Sequence, residues 1–80
     1  MRILDNDNDK ALKNLTIYLK VCEAKELLGD LQRLVKNSND YGHAHINDEE
    51  FIHEITLVVY DESDLKGLNN RSKKIISEDV

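Results

Sequence analysis

Residues 15–28 read Leu15-Thr16-Ile17-Tyr18-Leu19-Lys20-Val21-Cys22-Glu23-Ala24-Lys25-Glu26-Leu27-Leu28, and the hydrophobic period changes part-way through them. From Asn14 to Cys22 the residues alternate: Leu15, Ile17, Leu19 and Val21 point one way, Thr16, Tyr18, Lys20 and Cys22 the other. A period of two predicts a strand with one buried face. From Glu23 to Asn37 the apolar residues Ala24, Leu27, Leu28, Leu31, Leu34 and Val35 recur at three and four, which predicts an amphipathic helix. Glu23 and Glu26 in its first turn, and Arg33 and Lys36 in its last, suit the helix dipole. Gly29 costs the helix about 1 kcal/mol relative to Ala and would let it approach a sheet closely. The polar run Asn37-Ser38-Asn39-Asp40, followed by Gly42, stops it.

Working outward, His43 to Asn47 reads as a short strand, and the acidic turn Asp48-Glu49-Glu50 leads into a third, Glu54 to Tyr60. That last segment is the most β-prone in the chain and belongs in the middle of a sheet. A helix between the first two strands implies a parallel, right-handed crossover, and a tight turn between the second and third implies an antiparallel hairpin. The expected fold is therefore α+β: a small split β-α-β sheet of three strands in the order 1-3-2, with helices on one face and the other face open. A short helix is expected around Asn70 to Ser77, with Asp61, Ser63 or Asn69 as its cap. Residues 1–13 read as a polar, mobile leader, with Ile3-Leu4 as material for a short edge strand. Residues 14–80 are expected to form one domain.

Composition narrows the functions. The 80 residues hold 40% hydrophobic and 34% charged side chains, ordinary for a globular chain and too apolar for a disordered one. The single Cys rules out an intrachain disulfide and suits a reducing, cytoplasmic compartment. No apolar run nears the ~18 residues of a membrane span, and the start of the chain lacks a signal-peptide apolar region, so no membrane association is expected. The net charge of −5 disfavours nucleic acid, which needs a cationic footprint. It suits a basic protein partner instead.

Residue clusters that could carry chemistry are few. His43-Ala44-His45 with His53 nearby invites a shared metal, since imidazoles at i and i+2 of a strand share a face. If Ala44 and Ile46 face the core, their antiparallel partners are Leu57 and Ile55. His43 and His45 then lie on the open face, and His53 falls on the other, so three-His ligation is not expected. Metal binding through the His-x-His strand stays as an alternative. Asp5-Asn6-Asp7-Asn8-Asp9 opens like a calcium loop, but Lys10 stands at the sixth position and Thr16 at the twelfth, where Gly and a bidentate Glu belong. Cys22 lies near a helix N-terminus with neither a base nor an oxyanion site beside it, and reads as a packing residue. The carboxylates Asp48, Glu49, Glu50, Glu54, Asp61, Glu62 and Asp64 offer no acid/base pair in a cleft. No enzyme activity, catalytic residue or cofactor is expected.

What remains is the open sheet face, on which Thr16, Tyr18, Lys20, His43, His45, Thr56, Val58 and Tyr60 are expected to lie together. Tyr and His make contact area at low entropic cost, so Tyr18, His43, His45, Thr56 and Tyr60 are the candidate partner-binding residues. The succession Leu15-Thr16-Ile17-Tyr18-Leu19, Glu23-Ala24-Lys25-Glu26-Leu27-Leu28, His43-Ala44-His45-Ile46-Asn47-Asp48 and Glu54-Ile55-Thr56-Leu57 resembles the immunity protein 32 family of bacterial toxin systems, over about two-thirds of the chain. That resemblance implies neutralisation of a toxin by direct binding. The expected function is thus a small non-catalytic binding protein with a protein partner. A homodimer formed through an exposed edge strand, as an accessory or prophage protein, is the further alternative.

Overall fold

The computed structural model describes residues 1–37 and 42–80. It is mixed α+β, with two helices and two separate two-stranded antiparallel sheets. The chain divides into two compact units, residues 1–17 with 62–80 and residues 18–61.

In the first unit, β1 (Ile3–Asp5) pairs with β2 (Lys10–Leu12) in the register Ile3↔Leu12, Leu4↔Ala11, Asp5↔Lys10. Residues 1–13, expected as a mobile leader, thus carry a hairpin. The acidic run that resembles a calcium loop is its turn. The Asp5 carboxylate accepts the backbone N–H of Asp7 at 3.0 Å and of Asn8 at 3.2 Å, and the Asn8 side-chain amide at 2.8 Å. An Asp folding back on the following backbone is a standard way to build a turn. The turn ends at Asp9, whose φ of 53° lies in the left-handed region that Asp tolerates better than most residues. Helix α2 (Asn70–Glu78) falls where the sequence places it, and the cap is Asn69, whose side chain accepts the Ser72 N–H at 2.8 Å. It buries Ile75. Two arginines tie α2 to the hairpin. Arg2 donates to the Ile75 carbonyl at 3.0 Å, and Arg71 pairs with Asp9 at 2.5 Å while donating to the Val80 carbonyl at 2.8 Å.

In the second unit, α1 (Val21–Lys36) is followed by β3 (His43–Asn47) and β4 (Glu54–Val58). The two strands form a hairpin in the register His43↔Val58, Ala44↔Leu57, His45↔Thr56, Ile46↔Ile55, Asn47↔Glu54. This is the pairing inferred from the alternation. Ala44 and Ile46 point inward with Leu34 of α1, and these three are the buried hydrophobic residues of the unit among the described residues. At the start of α1 the Glu23 carboxylate accepts the Lys20 N–H at 2.8 Å. The reciprocal half of a capping box is missing, because a lysine side chain has no acceptor. At its end the Asn37 N–H returns to the Arg33 carbonyl at 3.1 Å. Of the stop signal proposed after the helix, residues 38–40 lie outside the described residues.

Three expectations are corrected. The strand over Asn14–Cys22 does not form: α1 begins at Val21, Lys20 is extended (φ −70°, ψ 160°), and none of residues 14–20 belongs to a strand pair. Alternation specifies which side chains share a face but supplies no partner, and a parallel partner must be recruited across a long loop without a turn to fix it. The three-stranded sheet of order 1-3-2 is consequently replaced by two hairpins, each closed by a short local turn, and β4 is an edge strand rather than a central one. Gly29 does not mediate a close helix–sheet approach, since a Cβ built there meets nothing within 4 Å.

Candidate functional site

The open face of the β3–β4 hairpin is set by strand parity. Because Ala44 and Ile46 face α1, their neighbours His43 and His45 face outward, and antiparallel pairing adds Thr56 opposite His45 and Val58 opposite His43. All four are exposed. The two imidazoles meet edge to face with centroids 5.3 Å apart. Glu54, in phase with Thr56 along β4, completes a polar cluster: its Oε1 lies 2.6 Å from His45 Nδ1, and the Thr56 hydroxyl lies 3.0 Å from the same nitrogen and donates to Glu54 at 3.4 Å. Sequence reasoning missed Glu54, although its two-residue spacing from Thr56 carries the signal.

His45, Glu54 and Thr56 are thus hydrogen-bonded to one another on the exposed face. A nucleophile–base–orienter relay needs one partner on each imidazole nitrogen. Here the hydroxyl and the carboxylate both meet Nδ1, so the ring has no path along which to pass a proton between them. Among the described residues, no three of His, Cys, Asp and Glu stand close enough together to share a metal ion.

The predicted site is brought together only in part. His43, His45 and Thr56 share the open face. Tyr18 is exposed but lies in the extended segment before α1 rather than on a strand, and Tyr60 follows β4 and is half-buried. Both miss the face because the strand that was to carry Tyr18 does not form and β4 ends at Val58. His53 sits at the loop end just before β4, away from the other two imidazoles in register. Its partner is Asp48, which organises the whole β3–β4 turn. The Asp48 carboxylate accepts the Ile52 N–H at 2.8 Å and the His53 N–H at 3.3 Å, and it meets His53 Nδ1 at 2.5 Å. The His53 hydrogen bond, with the two backbone donors adding to it, holds the Asp48 carboxyl below the usual carboxylate range. Asp5 in the other unit is lowered likewise, chiefly by the side chain of Asn8. The same turn places Phe51 in the left-handed region, φ 54°, with its ring exposed.

Between the N-terminal turn of α1 and this loop lies a depression of about 280 Å³ bordered by Lys20, Cys22, Glu23, Glu26, Asp48 and Phe51. It is smaller than the ~300–1,000 Å³ typical of small-molecule sites. Cys22, expected to be a packing residue, is exposed. Among the described residues, no helix is long and apolar enough to cross a membrane. No family model, curated protein or solved structure matches this chain.

Proposed function

We propose that the chain is a non-catalytic binding protein whose partner, another protein, contacts the open face of the β3–β4 hairpin. The observation that carries this reading is the cluster on that face: His45, Glu54 and Thr56 are hydrogen-bonded to one another while exposed, beside His43 and Val58. Side chains already fixed lose less rotamer entropy when a partner arrives, a saving of roughly 0.5–1.5 kcal/mol for each one. The face also offers two imidazoles, a hydroxyl, a carboxylate and one branched apolar residue, a mixture suited to a polar protein surface. Exposed Tyr18 is proposed as a further contact, and half-buried Tyr60 as a support at the margin. The net charge of −5 favours a basic partner and speeds its association. The sequence resemblance to immunity proteins gives that partner a class, a toxin whose working surface is occluded.

The test is a paired capture from a lysate of the source cells, with the native chain and a His45→Ala, Thr56→Ala double variant as baits. A stoichiometric protein held by the native chain and lost by the folded variant is the expected result. Equal recovery of every protein by the two baits sinks the assignment of this face.

A further inference from the structure

Along a β-strand, side chains two residues apart share a face at a spacing of about 6.5–7 Å. The imidazoles of His43 and His45 on β3 stand closer than that, with ring centroids 5.3 Å apart and planes at 86°, so the two rings lean toward one another. Two imidazole nitrogens bound to one tetrahedral zinc ion at about 2.0–2.1 Å put their ring centroids roughly 5 Å apart. The pair thus already stands at a chelating separation. His45 is also oriented. An ionised carboxylate can only accept, so the 2.6 Å hydrogen bond between Glu54 and His45 places a ring proton on Nδ1. In the neutral ring the lone pair then lies on the opposite nitrogen, Nε2. An imidazole that gives one N–H to a carboxylate and keeps its other nitrogen for the metal is the usual arrangement of a zinc-ligating histidine. The Thr56 hydroxyl donates to the same Glu54 carboxylate at 3.4 Å and steadies it.

We propose that His43 and His45 bind a zinc ion on the open face of the β3–β4 hairpin, with Glu54 as the positioning residue behind His45. The two imidazoles supply two of the four tetrahedral positions and water the other two. The site needs no third protein ligand, in keeping with the absence of a three-residue cluster among the described residues. His53 takes no part, because its Nδ1 is engaged by Asp48 at the turn. The net charge of −5 draws a divalent cation toward the chain. The zinc site shares a face with the proposed partner contact but does not depend on it. Zinc binding is read on the chain alone, and partner capture in the presence of a chelator reads the other, so the two ideas fail separately.

The test is equilibrium dialysis of the full chain against zinc chloride at slightly alkaline pH, where imidazole is neutral and free to ligate, with far-UV circular dichroism as the check on folding. The native chain is expected to saturate at one zinc per chain. His43→Ala and His45→Ala are each expected to lose the site. Glu54→Ala should weaken binding about 10–100-fold, as removal of a carboxylate behind a ligating histidine does, and Glu54→Gln, which keeps an acceptor for the Nδ1 proton, should recover part of that loss. The exposed thiol of Cys22 and the imidazole of His53 are controlled together: a Cys22→Ser, His53→Ala double variant should bind zinc like the native chain. A native chain that holds no zinc overturns the proposal, as does native affinity in a folded His43→Ala chain or lost binding in the folded double variant. Native affinity in a folded Glu54→Ala chain overturns the positioning role of Glu54.

Discussion

Leu34 is the buried side chain through which α1 meets the hairpin in the second unit. Its side chain is 2% exposed, packed with Ala44 and Ile46 where the hairpin meets α1, and a Cβ added at Gly42 would lie 3.4 Å from its Cδ2. Leu34→Ala removes three buried carbons and leaves a cavity that backbone hydrogen bonding on both sides keeps from closing fully. Such changes cost about 2–5 kcal/mol. For a chain of this length the total stability is on the order of 4–12 kcal/mol, so the variant forfeits a large share of it. With a urea m-value of about 1 kcal/mol/M for a small protein, the midpoint should fall by roughly 2 M or more. The control is Ile52→Ala in the β3–β4 turn, where the side chain is 67% exposed and the expected change is within about 0.5 kcal/mol. Urea titrations of the two variants at one chain concentration, read by circular dichroism, make the comparison. A Leu34→Ala midpoint no lower than that of Ile52→Ala would refute the packing of the hairpin on α1 through Leu34.

Gly29→Ala should stabilise the chain by about 0.5–1 kcal/mol, because Ala is the better helix former and nothing lies within 4 Å of the new Cβ; a lower melting temperature would contradict the open environment. Asn69→Ala removes the acceptor for the Ser72 N–H and should cost about 0.5–2 kcal/mol, with faster hydrogen exchange confined to the first turn of α2. Asp48 has its folded pKa depressed, so its contribution is complete above the ordinary carboxylate value and is lost as pH falls through the lower folded value. The Ile52 and His53 amide resonances should therefore shift in acid, below about pH 4, and should stay flat there in Asp48→Asn. Tyr18→Ala should weaken partner capture and leave the circular dichroism spectrum unchanged, since the side chain is exposed outside any strand; a lost fold would place Tyr18 in a core.

What the sequence made legible was local. The hairpin register follows from the alternation of His43, Ala44, His45 and Ile46 against Ile55, Thr56 and Leu57, and a slip of one residue would have turned Ala44 and Ile46 to solvent. The cap at Asn69 follows from the chemistry of a short polar side chain before a helix. What failed depended on partners far along the chain. Leu15, Ile17 and Leu19 alternate as well as any strand, yet the pattern is equally satisfied by extended chain, and its last apolar member, Val21, fits the helical stripe too. Helix α1 takes Val21 because Ala24 and Leu28 follow at helical spacing. The turns were under-read for another reason. Asp5 and Asp48 look like generic surface charge in a list of carboxylates, but each accepts two backbone N–H groups and so determines where its hairpin reverses.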